Sequence, residues 1–119
     1  MKLIRKILGV LILLYERLFS PKGIVRSAEI QKKIDEDCKT LKLYEFETCP
    51  FCVKVRMAVK KLALPIERRD VLKNKVFEEE LIKGGGERQV PCLRIEEGTS
   101  VRWLYESNDI ISYLEKKFQ

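Results

Sequence analysis

The sequence reads as an α/β domain with element order β-α-β-α-β-β-α, a mixed four-stranded sheet flanked by helices, with an extra apolar helix ahead of it. Three observations carry this reading. Leu-Lys-Leu-Tyr-Glu-Phe, residues 41–46, alternates with the period of a strand and is followed by a helical pattern and a second β-rich run. Two short runs, 92–95 and 101–104, flank Glu96–Ser100 with Gly98 at the bend, which predicts a β-hairpin. Ile110, Ile111 and Leu114 then recur at helical spacing over 108–118, with Ser107 or Asn108 available as a cap.

The first 20 residues stand apart in composition. The uncharged run of residues 7–15 rises only about 13 Å as a helix, and residues 3–19 reach about 25 Å, short of the roughly 30 Å hydrocarbon core. Lys2, Arg5 and Lys6 precede the run as in a secretory signal, but no small-x-small cleavage site follows Leu14. Three placements fit: a short membrane-spanning anchor, an interfacial helix, or a helix packed on its own domain. Basic residues flank the run on both sides, so the positive-inside rule does not fix an orientation. Residues 1–20 are thus a candidate membrane anchor and 21–39 a polar connector broken at Ser20-Pro21-Lys22-Gly23, with Ile30 and Ile34 at i, i+4. The domain occupies 40–119.

Within that domain, residues 51–62 predict a helix with Val55, Val59 and Leu62 on one face, 65–71 a second strand and 76–83 a short helix. Gly84-Gly85-Gly86 is expected to end that helix in a turn, since the Gly-Lys-Ser/Thr ending of a phosphate loop is missing. Trp103 is expected to pack the hairpin against a helix.

At 119 residues the chain suits one compact domain with an appendage. Its net charge of +6 is concentrated in residues 1–26, which carry six Lys/Arg and one Glu. That distribution suits an electrostatic tether or a membrane-flanking signal and argues against a nucleic-acid-binding face. Four cysteines in a chain with an ordinary apolar fraction suggest a reducing compartment, where a close pair is more often catalytic or metal-binding than structural.

The close pair is Cys49-Pro50-Phe51-Cys52. It falls where strand turns to helix, so Cys49 faces the free N–H groups and positive dipole end of the helix, which favours the thiolate, the reactive form. Cys52, one turn on, is placed to attack a mixed disulfide formed at Cys49. Pro50 suits a helix start because the N–H it lacks would be unpaired there anyway. A metal site would have to recruit Cys38 and Cys92, as the chain has no histidine and no second C-x-x-C, so no metal is expected. A purely structural 49–52 disulfide closes too short a loop to constrain the unfolded chain much. Cys92 is expected to be a buried small hydrophobe and Cys38 a bystander.

Lys42-Leu43-Tyr44, Thr48-Cys49-Pro50-Phe51-Cys52-Val53-Lys54-Val55-Arg56-Met57, Gln89-Val90-Pro91 and Glu106-Ser107-Asn108-Asp109-Ile110 together resemble a glutaredoxin. The likeness is to glutaredoxins similar to the N-terminal domain of glutathione transferases, and it covers residues 41–119. It implies a thioredoxin-like fold, glutathione as co-substrate, Cys49 as nucleophile and Cys52 as resolving thiol. It further implies a cis Val90–Pro91 bond, with Val90 and Pro91 beside the glutathione peptide, and Phe51 next to it. Glu106, Ser107 and Asn108 would hold the γ-glutamyl end, and Arg88 would face the other carboxylate. Two positions depart from the family pattern: Phe46 stands where many glutaredoxins have lysine, and Trp103-Leu104-Tyr105 replaces the usual Gly-Gly.

The resulting expectation is a glutathione-dependent thiol–disulfide oxidoreductase acting on protein disulfides or glutathionylated proteins. The membrane would be a partner through residues 3–19, with the catalytic domain on the cytoplasmic side, where glutathione is found. Two other readings stay open: a non-catalytic glutathione-transferase-like binding module, and an iron–sulfur carrier.

Overall fold

The computed structural model describes residues 2–118. In chain order the elements are α1 (Lys2–Phe19), α2 (Ala28–Cys38), β1 (Leu41–Glu45), α3 (Pro50–Lys61), β2 (Glu67–Asp70), α4 (Lys75–Gly85), β3 (Cys92–Glu97), β4 (Ser100–Tyr105) and α5 (Ser107–Phe118). The sheet order is β2-β1-β3-β4, with β1 parallel to β2 and antiparallel to β3, and β3 antiparallel to β4. This is the mixed four-stranded sheet expected from the strand–helix–strand unit and the hairpin.

Alternation along the strands sorts the core onto the two faces of the sheet. Leu41, Leu43, Leu93 and Ile95 meet Val55 of α3, Leu62 at its C-cap, and Ile110 and Leu114 of α5. On the opposite face Tyr44 and Cys92 pack with Leu81 of α4, and Phe77, Trp103 and Tyr105 close around them. Both layers are dry at their centres: Leu41, Leu81, Leu93 and Leu114 are fully buried.

Residues 21–39 do more than connect. Ser27 caps α2 through its hydroxyl, which accepts from the Ile30 N–H, and Ile34 and Cys38 enter the main core. Gln31 donates to the Ala63 carbonyl, and the Arg26 guanidinium to the Phe118 carbonyl. Of the pair flagged by spacing, Ile34 turns inward while Ile30 stays exposed, and the second inward position is Cys38, one helical turn on.

The glycine run differs from expectation. Gly84 and Gly85 lie inside α4, and only Gly86 leaves it, as a left-handed cap with φ 89° whose N–H bonds the Ile82 carbonyl. The first two are small because the hairpin presses on them. A Cβ on Gly84 would sit 2.1 Å from Trp103 Cζ2, and one on Gly85 2.0 Å from the Tyr105 hydroxyl. Trp103 does pack the hairpin on a helix. Alanine for glycine in a helix interior ordinarily stabilises by up to about 1 kcal/mol. Gly84→Ala should reverse that sign and cost about 1–3 kcal/mol, read as a lowered thermal midpoint, because the indole must move.

α1 lies along α3. Gly9 is its buried residue and meets Thr48, with a Cβ at that position falling 3.1 Å from Thr48 Cγ2. Two turns on, Glu16 makes a bidentate ion pair with Arg56, at 2.7 Å to Nη2 and 2.8 Å to Nε. Among the described residues no helix is long and apolar enough to cross a membrane.

Candidate thiol site at the N-terminus of α3

β1 ends at Glu45, and residues 46–49 turn the chain into α3. Cys49 is the N-cap, with extended backbone (φ −81°, ψ 125°), and Pro50 opens the helix. The Cys49 carbonyl accepts from the Val53 N–H at 2.9 Å, which starts the helical ladder. The Cys49 side chain makes no capping hydrogen bond, and the amides of the first turn of α3 have no helical partner. Cys49 is half-buried and Phe51 exposed, whereas Cys52 is sealed beneath them.

All four cysteines are free thiols. Burial pushes the Cys52 thiol strongly upward, the Phe46 N–H that donates to its sulfur at 3.5 Å works against this, and nearby Cys49 adds to the rise. Burial likewise raises Cys92 to about 12 and Cys38 to about 11, so both are protonated at neutral pH. These two are core residues, as expected of Cys92. For Cys38, its place in the core rather than in a loose connector is the new information.

Arg56, buried on α3, organises the approach to Cys49. Its Nη1 donates to the Phe46 carbonyl at 3.3 Å and its Nη2 to the Glu47 carbonyl at 2.7 Å, bracing the turn that leads to the thiol. The same guanidinium pairs with buried Glu45 and with Glu16 of α1. Arg68 donates to the same Glu45 oxygen, Oε2, at 2.9 Å, and buried Oε1 has no hydrogen-bond partner. One cation thus ties the N-terminal helix, the end of β1 and the loop before the cysteine pair together. The strand period carried a signal of this network: Glu45 shares the inward parity of Leu41 and Leu43, and a carboxylate on that face needs a buried partner.

The remaining expected site residues come from three stretches. Val90–Pro91 is a cis peptide, and Val90 and Phe46 pack on the same core cluster. Arg88 lies over the Phe46 ring at 5.3 Å and pairs with Glu78 of α4. Glu106 takes a left-handed backbone (φ 72°) immediately before α5, and its carbonyl accepts from the Ile110 N–H at 3.0 Å. In a non-glycine residue that conformation costs about 1–2 kcal/mol. It presents Ser107, buried, and Asn108, exposed, in the first turn of α5, where N–H groups lack helical partners. Asn108 in turn accepts from Lys54 of α3. Among the described residues no three Cys, Asp or Glu side chains are grouped so as to hold a metal.

A thiol at a helix N-terminus with a second, buried thiol one turn on, set on a sheet of this order, is the arrangement of a thioredoxin-fold domain. Residues 43–119 match the family of the glutathione S-transferase N-terminal domain, and the chain belongs to it.

Mouse prostaglandin E synthase 2 is 43% identical over 75 residues, 63% of this chain and 19% of that protein. Glutaredoxin 2 of Escherichia coli K12 is 33% identical over 76 residues, 64% of this chain and 33% of that one. This chain therefore spans a third or less of the length of either relative. Maleylacetoacetate isomerase from Anaeromyxobacter dehalogenans 2CP-1, solved with glutathione in its active site, superposes with a TM-score of 0.52 at 27% identity, covering 66% of this chain and 38% of that one. Wheat glutaredoxin shares the fold at 20% identity, with a TM-score of 0.51 over 77% of this chain and 87% of that one.

Proposed function

We propose that this domain is a glutathione-dependent thiol–disulfide oxidoreductase working through Cys49 and Cys52. The observation that carries the reading is the division of labour between the two thiols: a half-buried Cys49 at the free N-terminus of α3 and a sealed Cys52 one turn behind it. Glutathione is the natural co-substrate because the family and the glutathione-bound isomerase both point to that tripeptide on this fold. Protein disulfides and glutathionylated proteins are the substrates that such a site serves, in a reducing compartment.

The reaction runs as thiol exchange. The Cys49 thiolate attacks the glutathione sulfur of a mixed disulfide RS–SG, forming Cys49–SG and releasing RS⁻, which takes up a proton. A second glutathione thiolate then attacks Cys49–SG, yielding glutathione disulfide and regenerating the Cys49 thiolate. With a protein disulfide, Cys49 forms the mixed disulfide and Cys52, after losing its proton, attacks it. The Cys49–Cys52 disulfide so formed is reduced by two glutathiones. Burial keeps Cys52 protonated until then, so the two thiols act in sequence.

Of the binding residues, Ser107 and Asn108 offer the first-turn amides of α5 to the γ-glutamyl carboxylate, a helix N-terminus being suited to an anion. The left-handed turn at Glu106 supports that role. Val90, Pro91 and Phe51 would line the peptide, and Arg88 would reach a carboxylate by exchanging its pairing with Glu78.

The test is reduction of a small glutathione mixed disulfide with glutathione as the only reductant. The reading expects turnover proportional to the protein added. A rate equal to that of buffer alone would reduce the domain to a binding module.

A further inference from the structure

α1 is amphipathic in the reverse sense. A surface helix normally buries its apolar stripe and shows its charges to water. Here the residues turned toward the domain are Gly9, Ile12, Leu13 and Glu16, at i, i+3, i+4 and i+7, and the acidic one is held by Arg56. The opposite face is apolar and open to solvent: Leu3 is 69% exposed, Ile7 50%, Leu14 47% and Leu18 68%. The seat itself is narrow, with grooves of about 510 and 580 Å³ on its two flanks.

We infer that this outer face of α1 is a docking surface for an anionic lipid surface, with the helix lying in the plane of the interface while Gly9 and Glu16 keep it seated on α3. Charge selects this occupant. The other charged residues of α1 are Lys2, Arg5, Lys6 and Arg17, all basic and exposed: at helical spacing Lys6 and Arg17 border the apolar face, and Lys2 and Arg5 continue the Gly9 stripe ahead of the seat, where their long stems can reach phosphate headgroups. The helix's only carboxylate is turned inward and neutralised by Arg56, so nothing acidic on α1 repels such a surface. Two attachments about two turns apart hold α1 along α3, which favours lying on a bilayer over leaving the domain to enter it.

The site is close by. Thr48, which touches Gly9, immediately precedes Cys49, and the smaller groove runs between Leu8, Leu11 and Tyr15 of α1 and Pro50, Val53 and Met57 of α3. A docked domain would hold Cys49 beside the headgroups, so membrane-proximal disulfides become its substrates. That last step rests on the proposed thiol chemistry, whereas the docking does not.

The experiment uses the full chain with vesicles of phosphatidylcholine alone or mixed with phosphatidylserine, followed by sedimentation. The wild-type chain should sediment with the mixed vesicles and be released as salt is raised. Ile7→Glu/Leu18→Glu, two changes at exposed positions away from the groove, should lower that affinity at least about tenfold while leaving turnover of a soluble mixed disulfide unchanged. A circular-dichroism melt matching wild type would tie the loss to the surface. Absence of vesicle binding, equal binding to both vesicle types, or concentration-dependent self-association abolished by the double variant without vesicle binding would each overturn the proposal. The last outcome would assign the face to a second copy of the chain. Wild-type vesicle binding without any disulfide turnover would keep the docking and remove the thiol reading.

Discussion

Cys49→Ser is expected to reduce glutathione-coupled disulfide reduction to the rate of uncatalysed exchange, with no change in fold. The serine hydroxyl fits the same N-cap and even favours it, since serine is a preferred capping residue. Loss of activity would therefore report chemistry rather than unfolding. Cys52→Ser should behave differently. It leaves the nucleophile in place, so reduction of small glutathione mixed disulfides should persist while reduction of protein disulfides through the 49–52 disulfide is lost. Full activity in Cys49→Ser would remove the nucleophile from the account. Equal loss in both variants would mean that Cys52 is required even where only one thiol should be.

The second large effect is structural. Arg56→Met should destabilise the chain by about 3 kcal/mol or more, read by urea denaturation, because it leaves Glu45 buried with half of its cationic partners gone and strips two carbonyls of their donor. The side chain of Arg56 is 4% exposed and that of Glu45 2%, so water cannot easily replace the lost contacts. Glu45→Leu added to Arg56→Met should restore at least half of the loss, since a buried ion pair can often be exchanged for apolar packing. A cost below about 1 kcal/mol for the single change would show the network to be dispensable.

The Glu16 branch of this network titrates. The hydrogen bond from Arg56 holds the Glu16 carboxyl below its ordinary 4.5, against a smaller opposing effect of burial. A lowered folded value means that the pair stabilises the seat of α1 above pH 4.5 and that this contribution is lost as pH falls through the folded value. Protection of the α1 amides, relative to their intrinsic exchange at the same pH, should fall there before that of the sheet does. Protection lost evenly across the chain would show that α1 has no separate seat.

Much of the fold was legible because its elements obey simple periods. Leu41, Leu43 and Tyr44 gave β1, Gly98 placed the hairpin, and Ile110 and Leu114 gave α5. The placement of the cysteine pair was legible from spacing, since Cys49 and Cys52 need only a strand-to-helix turn to become one half-buried thiol at the helix start and one thiol a turn behind it. The cis bond before Pro91 came from family likeness, as nothing in composition specifies it, and the left-handed backbone at Glu106 was not foreseen at all. What stayed hidden depends on contacts between distant segments. Gly84 and Gly85 read as a loop because the Trp103 and Tyr105 side chains that require them lie in another element. Glu16 and Arg56 are 40 positions apart, so their pairing, and with it the inverted face of α1, had no local signature.

The most direct measurement on the central claim is peptide mass mapping of the Cys52→Ser chain after exposure to glutathione disulfide. The account predicts one glutathione adduct, on Cys49, released by reduced glutathione, with Cys38 and Cys92 unmodified because both are buried and protonated. An unmodified Cys49, or adducts spread evenly over the three remaining thiols, would contradict it.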